Sequence, residues 1–351
     1  MDPKKLEELR RKYGPAGEGE IFDPFFRSVA EAGEFEPGSG SHPLPYGGIR
    51  TLLDAPLSRG PEGLDVALVG VPMDLGVTNR AGARHGPRAI RGVERIGPYE
   101  PALKCVPARM LKYGDIGDVP FRSRFSLEEC HRDIEQHFNL IRSAGALPLA
   151  VGGDHSITAP ILRALGRGKP VGLVHIDAHA DTMGVYEGSK FHHGGPFRTA
   201  VLDGVLDPTR TIQIGMRGTA DFLWEFSYES GMTVVPADEI DRRGIDWVIR
   251  RALEVVGEQP TYVSFDVDAL DPVFAPGTGT PEVGGLTTRE ALAILRGLNG
   301  INMIGGDVVE VAPMYDPTTN TAHAGAQILF QLLCLAATSH TRRRKALPES
   351  M

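Results

Sequence analysis

The chain has 351 residues, 41% of them hydrophobic and 23% charged, with a formal net charge of -8. Those proportions describe a globular protein with a sizeable core, and the acidic balance speaks against a general nucleic-acid or anionic-membrane partner. Three cysteines, Cys105, Cys130 and Cys334, form no Cys-x-x-Cys pair, which argues against a disulfide framework or a zinc ribbon and fits a reducing, cytoplasmic setting.

Residues 1–62 are rich in Gly and Pro with little periodicity, and Met1 to Tyr13 lacks the apolar run of a secretory signal. They read as an N-terminal arm over the body or a neighbouring subunit, with Phe22, Phe25 and Phe26 as anchors. The body is predicted over residues 63–340 and opens on a buried strand, Leu64 to Pro72. The loop after it, Met73 to Ile90, holds Arg80, Arg84 and Arg88. These could contact an anionic ligand or tie subunits together; pairing inside the structure is the favoured reading. Ser126 to Ser143 reads as a helix capped by Ser126, with His131 and His137 as surface or packing residues.

Strands and helices then alternate. Ala146 to Val151, Val171 to Ile176, Thr211 to Ile214, Val234, Tyr262 to Phe265 and Asn302 to Ile304 are the strands; helices follow at Ile157, Asp246, Thr287 and Ala322. The pattern predicts a three-layer α/β/α sandwich around a mainly parallel sheet. In such sheets ligands collect at the carboxyl ends of the strands. No stretch is counted as reaching the ~18 apolar residues of a membrane span. Residues 341–351, with Arg342-Arg343-Arg344-Lys345, read as a solvated tail.

Every polar cluster falls at a strand end. Asp177, His179 and Asp181 alternate after the strand Val171 to Ile176, so on extended backbone they share a face. His155 follows one strand, Asp266 and Asp268 another, and Glu310 stands beyond the last. Crowded carboxylates and imidazoles need a compensating cation. Four Asp and two His suffice for two cations sharing carboxylates; the donor set suits Mn²⁺ first and Ni²⁺, Co²⁺ or Fe²⁺ as alternatives. Two metals roughly 3.5–4 Å apart make a water between them nucleophilic at neutral pH, which implies hydrolysis at an electrophilic carbon.

Gly152-Gly153-Asp154-His155-Ser156, Asp177-Ala178-His179-Ala180-Asp181 and Ser264 to Pro272 resemble the three signatures of the ureohydrolases, the arginase and agmatinase superfamily. The resemblance runs from about Val66 to Leu333 in the family's order. It implies hydrolysis of a guanidino group to urea and an amine on a binuclear centre, manganese or in some branches nickel. It also implies one metal held by His155, Asp177, Asp181 and Asp266, and another by Asp177, His179, Asp266 and Asp268. Glu310 matches the carboxylate that binds the guanidinium, and His193 the loop histidine that moves a proton, with its neighbour His192 competing for that role. Asp181 would accept a hydrogen bond from the nucleophile. Trimers or hexamers are the family's assemblies.

Met183 stands where arginases carry an asparagine that helps hold the substrate's α-carboxylate, while Ala180 and Gly195 replace threonines frequent in agmatinases. Arginine is therefore not the expected substrate. Guanidinobutyrate, guanidinopropionate, agmatine, guanidine and alkylated guanidines or biguanides stay open, with carboxylate-tailed and small or alkylated guanidines ahead: Met183 favours an apolar or absent tail, while Arg80, Arg84 or Arg217 is available for a distal carboxylate. The Gly277 to Pro281 loop lacks the ending of a phosphate loop, and Ser156 lacks a nucleophile elbow. Two other readings are a catalytically silent subunit partnering an active homologue and a metal-dependent deacetylase of related topology.

Overall fold

The computed structural model describes residues 1–14, 23, 25, 27–29, 47–94, 96–218 and 221–346. Eight strands form one sheet: β1 Val66–Val71, β2 Tyr113–Asp118, β3 Leu147–Gly152, β4 Val171–Ile176, β5 Leu206–Met216, β6 Thr233–Pro236, β7 Pro260–Asp266 and β8 Asn302–Val309. Their order is β2-β1-β3-β8-β7-β4-β5-β6, and every neighbouring pair is parallel. In β1, β3 and β4 every residue is buried, as expected of strands covered on both faces.

Helices Leu127–Ser143, Thr158–Gly166 and Pro196–Leu202 supply Ile134, Phe138, Ile161 and Phe197 to one apolar layer. Ile245–Val256, Thr288–Gly297 and Asn320–Ala346 supply Val248, Ile294 and Leu329 to the other. The body is thus the three-layer sandwich that alternation implied. The Ser126 hydroxyl accepts from the Glu129 amide, and Thr287 with Glu290 closes a capping box.

Several boundaries differ from the sequence reading. β8 runs on to Val309, because its pairing with β7 continues as far as Asp266 opposite Val309. The last helix spans Asn320–Ala346 and takes in residues 341–346, expected as tail. Arg and Lys are good helix formers and suit a helix C-terminus. By length and hydropathy this helix could cross a membrane, contrary to the count above, but 83% of its apolar window is buried in the body. Within the expected arm, Pro3–Tyr13 is a helix that buries none of its residues, whereas Leu52, Leu53 and Ala55 already belong to the core. Phe25 meets Tyr99 edge to face at 5.2 Å; Phe22 and Phe26 lie outside the described residues.

The strands whose carboxyl ends carry the predicted ligands, β3, β8, β7 and β4, are four consecutive neighbours at the middle of the sheet. Residues up to 155 positions apart are thereby brought within hydrogen-bond reach.

Candidate metal centre and active site

Nδ1 of His155 lies 3.0 Å from Asp177 Oδ2, 3.0 Å from Asp181 Oδ2 and 3.3 Å from Asp266 Oδ2. It is buried and has no hydrogen-bond partner among the described residues. Beside it, Nδ1 of His179 lies 3.1 Å from Asp268 Oδ2 and 3.5 Å from Asp177 Oδ1. Asp177 therefore turns one oxygen to each half, as a bridging carboxylate would. Asp266 turns only Oδ2 to the His155 half; its Oδ1 accepts from the Asp268 amide at 2.8 Å. Asp181 holds its place at φ +50°, a conformation that costs a non-glycine residue ~1–3 kcal/mol and is found where a site over-determines it.

The electrostatics call for cations. Burial pushes the Asp266 carboxyl well above its usual range, with Asp268 and Asp177 repelling it further, and pushes Asp268 up to about 6. Burial opposes charge on His179, yet Asp268 and Asp177 hold it up to about 12. Without metal, protons do the compensating. A bare imidazole nitrogen among three carboxylate oxygens is a fitting place for a divalent ion, and the Asp177, His179 and Asp268 group for a second.

The His155 imidazole is aimed by the partner of its other nitrogen. The Ser264 hydroxyl donates to Asp307 Oδ1 at 2.6 Å, so its oxygen accepts from His155 Nε2 at 2.8 Å, which in the neutral ring leaves Nδ1 unprotonated. Asp307 Oδ2 is fixed by Thr158 and Tyr262 hydroxyls at 2.7 and 2.9 Å. His179 Nε2 faces Glu282 Oε1 at 4.0 Å.

Glu310, at φ +63°, accepts with Oε1 from the His155 amide and from His193 Nδ1, both at 2.8 Å. Its buried Oε2 has no partner among the described residues. His193 lines a cavity of about 190 Å³ together with His179, Asp181, Met183, Asp266 and Asp268. Glu310 sits behind His193 and does not line it, while His155 and Asp177 are buried beneath. His192 points elsewhere: its Nε2 donates to the Gly184 carbonyl at 2.7 Å, pinning the loop.

The arginines are engaged in structure. Arg84 pairs with Asp74, and Arg80 donates to the Gly279 and Thr278 carbonyls over the Tyr315 ring. Arg217 does line the cavity, but its nitrogens face the carbonyls of Gly215, Asp268, Ala269, Leu270, Glu282 and Val283. It clamps loops rather than offering a free cation.

Sequence reasoning missed Ser264 and His175, although each stands two residues before a ligand on the same strand face. It also missed Thr78, Leu223 and Trp224, which line the cavity from a loop and from the short 3₁₀ helix Asp221–Trp224, neither long enough to carry a periodic signal.

Residues 64–334 match the family model described as Arginase family. The chain belongs to the arginase family. It is a hydrolase of that family. It is 46% identical over 325 residues to the guanidinopropionase of Pseudomonas aeruginosa, covering 87% of this chain and 99% of that protein. Its fold is similar to that of proclavaminate amidino hydrolase from Streptomyces clavuligerus, with a TM-score of 0.81, 36% identity and coverage of 84% and 99%. It also resembles a Trypanosoma cruzi formiminoglutamase solved with Mn²⁺, at a TM-score of 0.72, 25% identity and coverage of 82% and 97%.

Proposed function

We propose that this enzyme hydrolyses a small guanidino compound with an uncharged or absent tail to urea and an amine. The observation that carries the tail assignment is the cavity wall. Met183, Leu223 and Trp224 line it, and Arg217, the one Arg or Lys among the described lining residues, is held by backbone carbonyls. A carboxylate tail, such as the name of the guanidinopropionase relative implies for its substrate, would face apolar groups there at a desolvation cost.

His155, Asp177, Asp181 and Asp266 would hold one divalent ion, and Asp177, His179, Asp266 and Asp268 the other. Mn²⁺ is the first choice, supported by the oxygen-rich donors and by the manganese in the formiminoglutamase structure, with Ni²⁺ the alternative. When bound, the pair supplies Lewis acidity and a water that is nucleophilic at neutral pH.

The chain's own residues do the rest. Glu310 lies behind His193, so its free Oε2 would accept from the planar guanidinium, in a charge-assisted bond that orients its carbon, once the His193 ring swings aside. A guanidinium there competes with His193 for the same carboxylate, which frees His193 Nδ1–H to turn to the departing amine. Asp181, at the cavity surface, accepts the proton of the attacking water. The assignment extends to a homo-oligomeric, cytoplasmic enzyme.

The test is urea release from guanidine, methylguanidine, butylguanidine, agmatine, guanidinopropionate, guanidinobutyrate and arginine, with enzyme loaded separately with Mn²⁺ and Ni²⁺. Uncharged alkyl compounds or guanidine should lead. Preference for guanidinopropionate would overturn the tail assignment, and absence of urea throughout would overturn the whole reading.

A further inference from the structure

His175 lies in the middle of the candidate centre without a role in the chemistry above. It is fully buried, and its Nε2 stands 2.7 Å from Asp177 Oδ2, the same oxygen that faces His155 Nδ1 at 3.0 Å. By position alone it could be a third histidine ligand, because its ring nitrogen groups with those of His155, Asp177 and Asp181.

Its other neighbour decides otherwise. Gln213 Nε2 donates to the Ala180 carbonyl at 2.6 Å, and since a carbonyl only accepts, that atom must be the amide nitrogen. The same nitrogen faces His175 Nδ1 at 3.1 Å, so Nδ1 must accept. The proton of the ring then sits on Nε2 and is donated to Asp177. A protonated Nε2 has no lone pair for a metal.

We infer that His175, its tautomer set by Gln213, is a positioning residue that holds Asp177 in the orientation from which it shares its two oxygens between metals. The chain Ala180 carbonyl, Gln213 amide, His175 imidazole, Asp177 carboxylate links the motif's backbone to its central carboxylate. Phe197 packs on the ring at 4.2 Å between centroids, tilted by 50°. Outer-shell donors of this kind alter metal affinity ~10–100-fold when removed.

The inference rests on the two-ion reading of the site, and the experiment separates the two. Mn²⁺ is titrated into metal-free full-length protein, and stoichiometry and affinity are read, with a thermal melt as the folding control. Wild type should take up two ions. His175→Phe should still take up two, with affinity lowered ~10–100-fold. His175→Gln, whose amide nitrogen can reach the place of Nε2, should restore most of it. Gln213→Glu places an acceptor opposite Nδ1, draws the proton there and should weaken binding as His175→Phe does. Loss of one ion in His175→Phe makes His175 a ligand and overturns the inference; unchanged affinity, or no rescue by Gln, overturns it too. Should the variants not fold, the imidazole ¹⁵N spectrum of the wild type reads the tautomer, and a proton on Nδ1 overturns the inference. Fewer than two ions in the wild type overturns the two-ion reading itself.

Discussion

Thr78 meets Nε2 of His193 with two groups, its hydroxyl at 2.7 Å and its backbone amide at 3.1 Å. A neutral ring accepts from the amide; a charged ring donates to the hydroxyl. The histidine is therefore held in both protonation states, which a residue that gives up a proton each turnover requires.

Burial disfavours the charged form of His193, but Glu310 outweighs it and raises the pKa to about 9. The folded value lies above the unfolded one of ~6.5, so the stabilisation is fully present below that value and is lost as pH rises through about 9. Bound cations lower it. Turnover should fall on an alkaline limb at or below pH 9. Thr78→Val removes the acceptor of the charged ring and keeps the amide, so the limb should move to lower pH with KM little changed. A pH profile of kcat checks this; an unmoved limb would show that Thr78 does not sense the proton.

Ser264→Ala leaves His155 Nε2 without its acceptor and Asp307 without one of its donors. The proton can then settle on either ring nitrogen. Mn²⁺ affinity should fall ~10–100-fold, with ion stoichiometry preserved. Calorimetric titration reads both quantities, and unchanged affinity would remove the relay from the account.

A Cβ on Gly153 would stand 2.2 Å from the Met73 carbonyl oxygen and 2.6 Å from that of Val71. Both obstacles are backbone and cannot rotate away. Gly153→Ala should cost ~3 kcal/mol or more, at or above the upper end of ordinary overpacking, and should lower the melting temperature by several degrees. A melt within a degree of wild type would refute the close approach.

The sandwich and the cluster of candidate ligands were legible because both depend on short-range pattern. Fully apolar runs mark strands covered on both faces, whereas Asp177, His179 and Asp181 converge for another reason than alternation on a strand: β4 ends at Ile176, residues 177–179 bend, and Asp181 takes φ +50°. What was not legible depends on sequence-distant partners. Gln213 reaches His175 across 38 positions and Thr78 reaches His193 across 115, and neither has a local signature. Arg217 looked like an anion binder because a sequence does not show carbonyls; six of them face it. The last helix runs on through the basic run expected as tail, because Arg and Lys extend helices well.

Metal should stabilise the protein in a pH-dependent way. Asp268 is pushed by burial, and by Asp177, up to about 6, above its unfolded value of ~3.9. For a carboxyl raised on folding, the metal-free protein loses stability as pH climbs from ~4 through ~6, because the folded state binds the proton more tightly. Divalent ions replace those protons. Adding Mn²⁺ should therefore raise the melting temperature strongly near pH ~7.5 and little near pH ~5. Differential scanning calorimetry with and without metal at both values is the check, and equal shifts would count against carboxylate ligation.

The apolar cavity wall makes a prediction about substrate choice that does not depend on which metal is loaded. Met183 and Leu223 line the same cavity as Asp181 and His179. Met183→Lys puts a cation of similar length on that wall, where it can pair with a carboxylate tail but leaves an alkyl tail beside a charge that needs water. Specificity is a difference of transition-state free energies, and a pocket contact of this kind is worth ~1–3 kcal/mol in each direction. The ratio of kcat/KM for guanidinopropionate over butylguanidine should rise ~100-fold, through gain on one side and loss on the other. Met183→Leu, apolar and of similar volume, should leave the ratio within a few-fold of wild type. A ratio insensitive to the lysine would place the tail elsewhere in the cavity and return the substrate question to Trp224 and the loop that carries it.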